Sequence, residues 1–495
     1  MKNLSKLLCL MLVFVMLFAM LAACADDKGD QSTDASSAAT SSTESVETDP
    51  DLKWKDANGL YTTGYTKEDL GGYKDTFTIL VQGNSDPTYQ NVDFTVGEEN
   101  TATFYGTFVD EGVSERNNLV EETYGVKIIG LKDNSPLATA RNEAQGGNGL
   151  FDAMVLRASE LATLGAEGNL YELFSLDGIQ LEAPWWDQNA NEAYSIGNKL
   201  YFTTGDITVL NKITTMAIMF NKDLADQYNL GDLYQLVEDR EWTFDKMIEL
   251  AKVIPENNGD GLHGLLSGYN DANGWFISLG GKFVTKNAND IPTLAVKSTD
   301  NTNRAIKLLD AFTMRGATIL MAQECPEPVW DTSWAEFYEG RVLFRYSGFS
   351  ATNKMRDYAV DFGILPCPLY DELQEDYIAP AGSAGAVGIL KSYQNPEWAA
   401  MMLDICACGA KNYVTPAYYE RTLRGKDTRD DESEAMLDII FGNLTYDLGW
   451  VYDLGGLSNA LFNLMQQKSN AYTSTIDGLY PSAEKALQDA IDAYN

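Results

Sequence analysis

Residue types that could support catalysis are few in this chain of 495 residues. His263 is the only histidine, so a Ser-His-Asp arrangement would have to use it, and neither His-Glu-x-x-His nor Gly-x-Ser-x-Gly occurs. The 72 Asp and Glu residues leave a glycoside hydrolase open, because that chemistry needs only two carboxylates at a defined separation in a cleft. We expect no catalysis and keep a cell-surface glycoside hydrolase as the enzyme alternative.

Two patterns near residue 260 are similar to ligand-binding loops. Gly259–Gly264 fits Gly-x-Gly-x-x-Gly, but it follows a predicted helix rather than a strand, and a formal net charge of −36 repels phosphates. Glu256, Asn258 and Asp260 alternate as in a degenerate calcium loop, although Ser267 stands where a bidentate Glu is needed. We expect no cofactor and leave a calcium ion near Asp260 open.

Four cysteines lie beyond the first 24 residues, and none forms a Cys-x-x-Cys pair. With a single histidine in the chain, this spacing argues against a zinc site. An exported protein can form disulfides, whereas buried free thiols pack as small hydrophobic groups; we favour free thiols and leave disulfides open. These cysteines are Cys325, Cys367, Cys406 and Cys408.

Side chains suited to a neutral sugar are more plentiful. Aromatic rings stack on sugar C–H faces, carboxylates and amides exchange hydrogen bonds with hydroxyls, and the chain has 9 Trp and 26 Tyr. Because ligands of α/β sheets bind at the carboxyl ends of strands, we expect polar contacts there. The candidates are Gly83, Asn84, Ser85, Arg157 and Asp206. Asn84 fits a turn equally well, and Arg157 fits a salt bridge between two lobes.

Aromatic candidates lie in the second half of the chain, and for each of them core packing is the alternative. Trp275 follows an Asn-Gly pair in a segment that ends in two glycines, Trp334 precedes a Phe-Tyr-Glu-Gly segment, and Phe349 follows a strand. Tyr419 completes the set of predicted binding residues. By contrast, we expect core positions for Trp185, Trp186, Trp242 and Trp398.

The elements that must position these residues alternate between strands and helices. A buried strand begins at Thr76, and apolar residues then recur at helical spacing from Val113 to Tyr124. Strands follow at Val126–Ile129 and before Arg157, and the next helix ends near Gly168. Strand and helix in alternation predict a sheet with parallel members. The chain from residue 435 onward is predicted to be mostly helical.

The N-terminus is typical of an exported protein. Lys2 and Lys6 precede an apolar run at Leu7–Leu21, and Leu21–Cys24 resembles a bacterial lipobox. That resemblance implies that Cys24 carries acyl chains, palmitate among them, and becomes the first residue after cleavage; an ordinary signal peptide is the alternative. Residues 25–50 contain seven acids, ten Ser or Thr and no aromatic residue, so a disordered tether is expected.

Charge and hydropathy limit the partners. The net charge of −36 repels nucleic acid and anionic lipid headgroups, so no nucleic-acid partner is expected. No second apolar run is long enough to span a bilayer. We therefore expect a soluble body held at the membrane by its lipid anchor.

The order of segments resembles extracellular solute-binding protein family 1, the carbohydrate-type binding lipoproteins of ABC importers in Gram-positive bacteria. The resemblance covers about residues 74–425. No single motif is specific to the family, but the order and spacing of the motifs are. They are ERNNLVEETYGVKI, FDAMVLRASELATLGAEGNLYEL, APWWDQNANEAYSIGNKLYFTTGD, MFNKDLADQYNL with WTFDKMIELAK, FYEGRVLFRYSG, and FGILPCP with GSAGAVGIL.

The resemblance implies an α/β fold of two lobes, the type II periplasmic-binding-protein fold, with a ligand cleft between the lobes. Three hinge crossings are expected near Met216, Leu369 and Thr415. The predicted organisation is a lipoprotein signal peptide at 1–23, a lipidated cysteine and tether at 24–72, lobe 1 at 73–214 with 377–412, and lobe 2 at 215–376 with 413–495.

The function implied by the resemblance is delivery of a solute to the permease subunits of an ABC importer. The aromatic content favours an oligosaccharide as that solute. The protein is then a monomer, lipid-anchored on the extracytoplasmic face of the cell membrane. A carbohydrate-binding adhesin is the further alternative. An adhesin would also have a lipid anchor, a tether and an acidic composition, but it would need no ligand cleft. Sugar identity, linkage, length and affinity do not follow from the sequence.

Overall fold

Two separate β-sheets organise the folded part of the chain. The structure is a computed structural model, and it describes residues 49–83, 92–96, 106–255, 259, 261–313, 318–351, 360–382, 384–419 and 431–494. The predicted signal peptide, Cys24 and the acidic calcium-loop residues 256–258 and 260 lie outside these residues.

The strands are short, and most of their residues are buried. They are β1 Thr76–Gln82, β2 Lys127–Asp133, β3 Ala153–Arg157, β4 Met216–Asn221, β5 His263–Ser267, β6 Val284–Lys286, β7 Pro292–Leu294, β8 Ile319–Met321, β9 Val342–Gly348, β10 Phe362–Leu365, β11 Ala379–Pro380, β12 Gly385–Gly388 and β13 Leu444–Thr445.

The α-helices range from single turns to elements of more than twenty residues. They are α1 Gly106–Tyr124, α2 Pro136–Gly146, α3 Ala158–Ala166, α4 Gln188–Tyr194, α5 Leu210–Ile213, α6 Lys222–Gln227, α7 Leu233–Glu238, α8 Phe244–Ala251, α9 Ala272–Ser278, α10 Thr299–Thr313, α11 Val329–Tyr338, α12 Pro396–Pro416, α13 Asp431–Gly442, α14 Leu448–Val451, α15 Leu457–Gln466 and α16 Tyr472–Ala493.

The first sheet has the order β12-β3-β1-β2. β1 pairs in parallel with both neighbours, Thr76 opposite Lys127 and Ile79 opposite Ala153, whereas β12 runs antiparallel to β3. Five of the seven residues of β1 are buried, as a central parallel strand covered on both faces requires.

The second sheet has the order β10-β4-β9-β5-β8. β5 pairs in parallel with β8 and β9, and β4 is antiparallel to β9 and β10. Thr243 caps the helix that packs beside β5, since its hydroxyl accepts a hydrogen bond from the Lys246 N–H at 3.2 Å. A Thr at this position satisfies a backbone N–H of the first helical turn, which the helix itself leaves without a partner.

The chain passes between the two sheets three times. It leaves the first sheet after β3 and enters the second at β4, and it returns between β10 and β12. After β12, α12 packs against α1 beside the first sheet, and α13 then packs against β10 of the second. These passages lie where the sequence predicts crossings, and the assignment of residues to two lobes stays a prediction.

Buried side chains form two clusters, and the tryptophans predicted as core lie within them. The first cluster covers the first sheet and also includes β4 and β10 side chains such as Met219 and Ile364, and the second lies on the second sheet. Trp185, Trp186 and Trp398 belong to the first cluster and Trp242 to the second. Both Trp185 and Trp186 donate their indole N–H groups to Asp404 Oδ1 at 2.8 Å. The four cysteines beyond residue 24 that we predicted as free thiols are free and buried.

Residues 51–65, here called the N-terminal strap, lie on the folded body. Trp54 meets Trp185 edge to face at 5.3 Å between ring centroids, and Gln180 donates its side-chain N–H to the Thr63 carbonyl at 2.8 Å. The sequence predicts a tether through residue 72, but aromatic side chains such as Trp54 supply the apolar contact that holds this segment in place. None of the described helices is both long and apolar enough to cross a membrane.

Candidate functional site

The carboxyl edges of the two sheets flank the same short helix, α5. A Cβ on Gly385, which pairs with Arg157 at the end of β3, would lie 3.2 Å from the Leu210 side chain. A Cβ on Gly348, at the end of β9, would lie 3.2 Å from the Ile213 carbonyl oxygen. Because ligands of α/β sheets bind at carboxyl edges, the space bounded by these edges is the candidate site.

On the first sheet, Gly83 follows β1 and meets the chain after β2. Its N–H donates to the Asp133 carbonyl at 2.7 Å, and a Cβ at this position would lie 2.4 Å from Asn134 Oδ1. A side chain at this position would have to displace the Asn134 side chain and would press on the Asp133 backbone at 3.0 Å. Gly83 offers only its backbone to a ligand. The predicted contacts Asn84 and Ser85 lie outside the described residues.

Arg157, at the end of β3, lies on the wall of a cavity of about 440 Å³ at this edge. Gln82 and Glu160 line the same cavity, and the Arg157 N–H donates to Glu160 Oε2 at 3.1 Å. Burial raises the pKa of Glu160. The cavity thus offers both donors and acceptors to sugar hydroxyls.

Asp206 is enclosed by partners from its own chain rather than facing open space. Its Oδ1 pairs with Lys212 at 3.0 Å and accepts from the Thr415 hydroxyl at 2.7 Å, and its Oδ2 pairs with Lys411 at 3.3 Å. Burial raises its pKa, but the two ammonium groups and the hydroxyl outweigh burial, so the net pKa is lowered. Asp206 as a sugar contact stays a prediction, and its carboxylate already has three partners within the protein.

On the second sheet, polar side chains gather after β5 and β8. Tyr269 donates its N–H to Gln323 Oε1 at 3.0 Å and its hydroxyl to Glu324 Oε1 at 2.8 Å. Asp271 accepts from the Ser267 hydroxyl at 2.9 Å, and burial raises its pKa to about 6. The sequence analysis missed these residues, although each lies within four residues of a strand end.

Trp334 lies on α11 and stacks on a buried cation. The Arg345 guanidinium is 3.4 Å from the Trp334 ring centroid, and Arg345 also donates to the Ser333 carbonyl at 2.8 Å. Burial lowers the pKa of Arg345 to about 10. Tyr338 lies alongside, with ring centroids 5.4 Å apart and planes 13° apart. These contacts fix the plane of an indole that stays only half-buried.

Trp330 stands one helical turn before Trp334, and 48% of its surface is exposed. Residues four apart share a helix face, so α11 carries two adjacent, partly exposed indoles. Neither Trp330 nor Arg345 was predicted from the sequence as a site residue. A charged residue within the apolar run Val342–Tyr346 was the available signal for the latter, because a strand interior does not bury a charge without a partner.

Trp275 and Phe349 are corrected from platforms to packing residues. Trp275 has no exposed surface, stacks on Tyr346 at 4.1 Å between centroids, and donates its indole N–H to Ser267 Oγ at 2.9 Å. Phe349 is 1% exposed and packs on Phe441 with centroids 5.1 Å apart. Neither ring has a free face for a sugar in this conformation.

Tyr419 is half-buried at the end of the last described turn of its helix. Its ring meets Phe441 edge to face at 5.5 Å, and its hydroxyl donates to Asp438. Phe441 thus joins Tyr419 and Phe349 in one aromatic cluster.

A cavity of about 590 Å³ lies elsewhere, between α4 and the β6–β7 hairpin. Lys286 lines it, donates to the Ser195 carbonyl at 2.5 Å and pairs with Asp290 at 2.9 Å. Its cation is therefore used within the protein. The carboxyl edges, where polar side chains gather after β5 and β8, therefore remain the candidate site. In the described part of the chain, no group of three or more His, Cys, Asp or Glu residues could hold a metal ion.

Comparison with known proteins supports this reading of the fold. The family described as bacterial extracellular solute-binding protein matches residues 119–403. No curated protein sequence matches the chain.

Solved structures match over nearly all of their own length. A cyclo/maltodextrin-binding protein complexed with maltotetraose has a TM-score of 0.54 and 15% identity, covering 86% of this chain and 97% of that one. An extracellular solute-binding protein of Staphylococcus aureus in complex with maltose has a TM-score of 0.53 and 14% identity, and the match covers 85% of this chain and 97% of that one. The apo-form of RafE from Streptococcus pneumoniae has a TM-score of 0.52 and 15% identity, and the match covers 84% of this chain and 99% of that one. Together they confirm the predicted two-lobed α/β fold.

Proposed function

We propose that this chain, which belongs to the bacterial extracellular solute-binding protein family, binds an oligosaccharide between its two lobes and delivers it to the permease subunits of an ABC importer. The observation that carries the proposal is the pair of indoles on α11, one of them held flat by a guanidinium at 3.4 Å. An indole fixed in one plane suits a sugar ring, whose C–H groups pack against an aromatic face.

We propose that polar groups at the carboxyl edges of both sheets bind the hydroxyls of the same ligand. Gln323 and Glu324 follow β8 immediately, and Arg157 and Glu160 line the opposite edge. Amide, carboxylate and guanidinium groups together donate and accept, as a polyhydroxylated neutral ligand requires. Solved proteins of the same fold hold maltotetraose and maltose, which supports the sugar class without fixing the sugar.

The proposal places the protein outside the cytoplasmic membrane, attached through lipid on Cys24. Its support is the lipobox-like sequence Leu21–Cys24 and the acidic, aromatic-free tract that follows. In a membrane fraction of the expressing bacterium, Cys24→Ser should move the protein from the detergent phase to the aqueous phase. Unchanged partitioning of this variant would remove the lipid anchor from the proposal.

We propose that binding is not accompanied by catalysis. Family members are solute-binding proteins, and no catalytic motif was found in the sequence. A bound oligosaccharide should therefore be recovered intact. Release of reducing ends in proportion to protein, abolished by replacing one Asp or Glu, would favour a glycoside hydrolase instead.

The test of the site is Trp334→Ala. Loss of a stacking anchor should cost about 2 kcal/mol or more, a fall in affinity of about thirtyfold, measured by calorimetric titration with the tightest-binding oligosaccharide. Phe174→Ala is the matched control, because this side chain is 51% exposed. It follows the Leu170–Leu390 bridge, which lies at the end of β12 opposite to the Gly385–Arg157 pair. Equal affinities of the two variants would contradict the α11 platform.

A further inference from the structure

Asp206 links the ends of two of the passages between the lobes. Lys212 belongs to α5, immediately before the first passage, and Thr415 belongs to the last turn of α12, where the third passage begins. Both side chains contact Asp206 Oδ1, at 3.0 and 2.7 Å. The carboxylate is 8% exposed, so these contacts are shielded from solvent and stronger than surface pairs.

The N-terminal strap, residues 51–65, holds the same junction from outside. Tyr61 donates its backbone N–H to Asn412 Oδ1 at 3.0 Å, and Asn412 donates its side-chain N–H back to the Tyr61 carbonyl at 2.9 Å. This reciprocal pair fixes the strap to α12. Next to it, the Lys411 ammonium lies 4.9 Å from the Tyr61 ring centroid and 3.3 Å from Asp206 Oδ2.

A second route from the strap ends at the same residue. Trp54 packs edge to face on Trp185, and the Trp185 carbonyl accepts the Asp206 backbone N–H at 2.9 Å. A Cβ on Gly205 would lie 2.2 Å from that carbonyl oxygen, so the two segments approach as closely as glycine allows. The strap therefore reaches both the backbone and the side chain of Asp206.

From these contacts we infer that the N-terminal strap and Asp206 form a clamp that fixes where two of the interlobe passages leave lobe 1. Asp206, Asn412 and Tyr61 are positioning residues of this clamp. Rotation of the lobes must then be absorbed by residues beyond the clamp, so the strap sets the lobe-1 end of the hinge. The inference concerns the passages and not the ligand, so its test is independent of which solute binds.

Hydrogen exchange of the ligand-free full-length chain, followed by mass spectrometry, tests the clamp. The readout is exchange at residues 206–216, where amides such as those of Asp206 and Thr214 are hydrogen-bonded. Asn412→Ala should speed this exchange by about fivefold or more, the lower range of coupling between linked sites. Exchange in β5 should not change, because that strand lies in the other sheet.

Asn58→Ala is the matched control, since this strap residue hydrogen-bonds only to Asp56 within the strap itself. It should leave exchange at residues 206–216 unchanged. Thr415→Val removes one hydrogen-bond donor to Asp206. If Asn412 and Thr415 both act through the Asp206 carboxylate, adding Asn412→Ala to Thr415→Val should speed exchange little beyond the effect of Thr415→Val alone.

Two results would overturn the clamp. One is faster exchange confined to the strap and the end of α12 in Asn412→Ala; the other is an equal effect of Asn58→Ala at residues 206–216. If the clamp responds as expected while no oligosaccharide binds, the proposed ligand class is wrong and the clamp stands.

Discussion

Asp404 shows what a single buried carboxylate does for this fold. Its Oδ1 accepts two indole N–H groups at 2.8 Å and the Gln180 backbone N–H at 3.2 Å, and burial raises the pKa of the carboxyl to about 6. The folded protein therefore holds a proton that the unfolded chain, with an ordinary pKa of 3.8, releases at lower pH. Ionising this group costs folding free energy.

The expected result is a free energy of unfolding that falls as pH rises from about 4 to about 6, by an amount of about 2 kcal/mol from this residue. Asp404→Asn keeps one carbonyl oxygen for the indole donors and removes the ionisation, so its urea-unfolding midpoint should depend less on pH across that window. Asp489→Asn, at an exposed helix position, is the control. An unchanged pH dependence in Asp404→Asn would contradict the assignment.

At the scale of elements, α8 lies directly against β5. A Cβ on Gly264 would be 2.0 Å from the Ala251 carbonyl oxygen and 2.6 Å from its carbon, and both are backbone atoms. Gly264→Ala must therefore separate the helix from the strand, at a cost of about 1–3 kcal/mol in unfolding free energy measured with urea. Gly442→Ala, where nothing lies within 4 Å of the added Cβ, should cost nothing.

The elements themselves follow from local sequence patterns. Apolar spacing predicts the strand beginning at Thr76 and the helix ending at Tyr124, and both have these ends. The helix predicted to end near Gly168 is α3, Ala158–Ala166. Apolar periodicity is a local property of the sequence, so helices and strands can be predicted from it without knowledge of the fold.

The candidate site is predicted less well from the sequence, because its side chains are placed by contacts with residues far away in the chain. The Asn-Gly pair before Trp275 suggests an exposed turn, yet a Cβ on Gly274 would lie 2.4 Å from the Tyr346 hydroxyl, and the segment is a buried helix. Gly274 therefore allows the Tyr346 hydroxyl to approach the helix backbone closely and does not form a turn. The partners of Asp206 could not be predicted for a similar reason, since Lys411 and Thr415 approach it from two hundred residues away in the chain.

At the scale of the whole molecule, three passages between two sheets and a family of solute-binding proteins point to capture of a ligand between lobes. Closure requires a ligand that binds the closed arrangement better than the open one, because only differential affinity shifts the equilibrium. The net charge of −36 disfavours polyanions and leaves neutral oligosaccharides as the class that the indoles and hydrogen-bonding groups suit.

The most direct test is calorimetric titration of the full-length protein with a panel of neutral oligosaccharides, beginning with maltose and maltotetraose. The proposed function predicts that at least one binds with one-to-one stoichiometry, in the micromolar range or tighter, and is recovered uncleaved. Absence of binding across the panel, with a charged or non-sugar solute binding in the same assay, would contradict it.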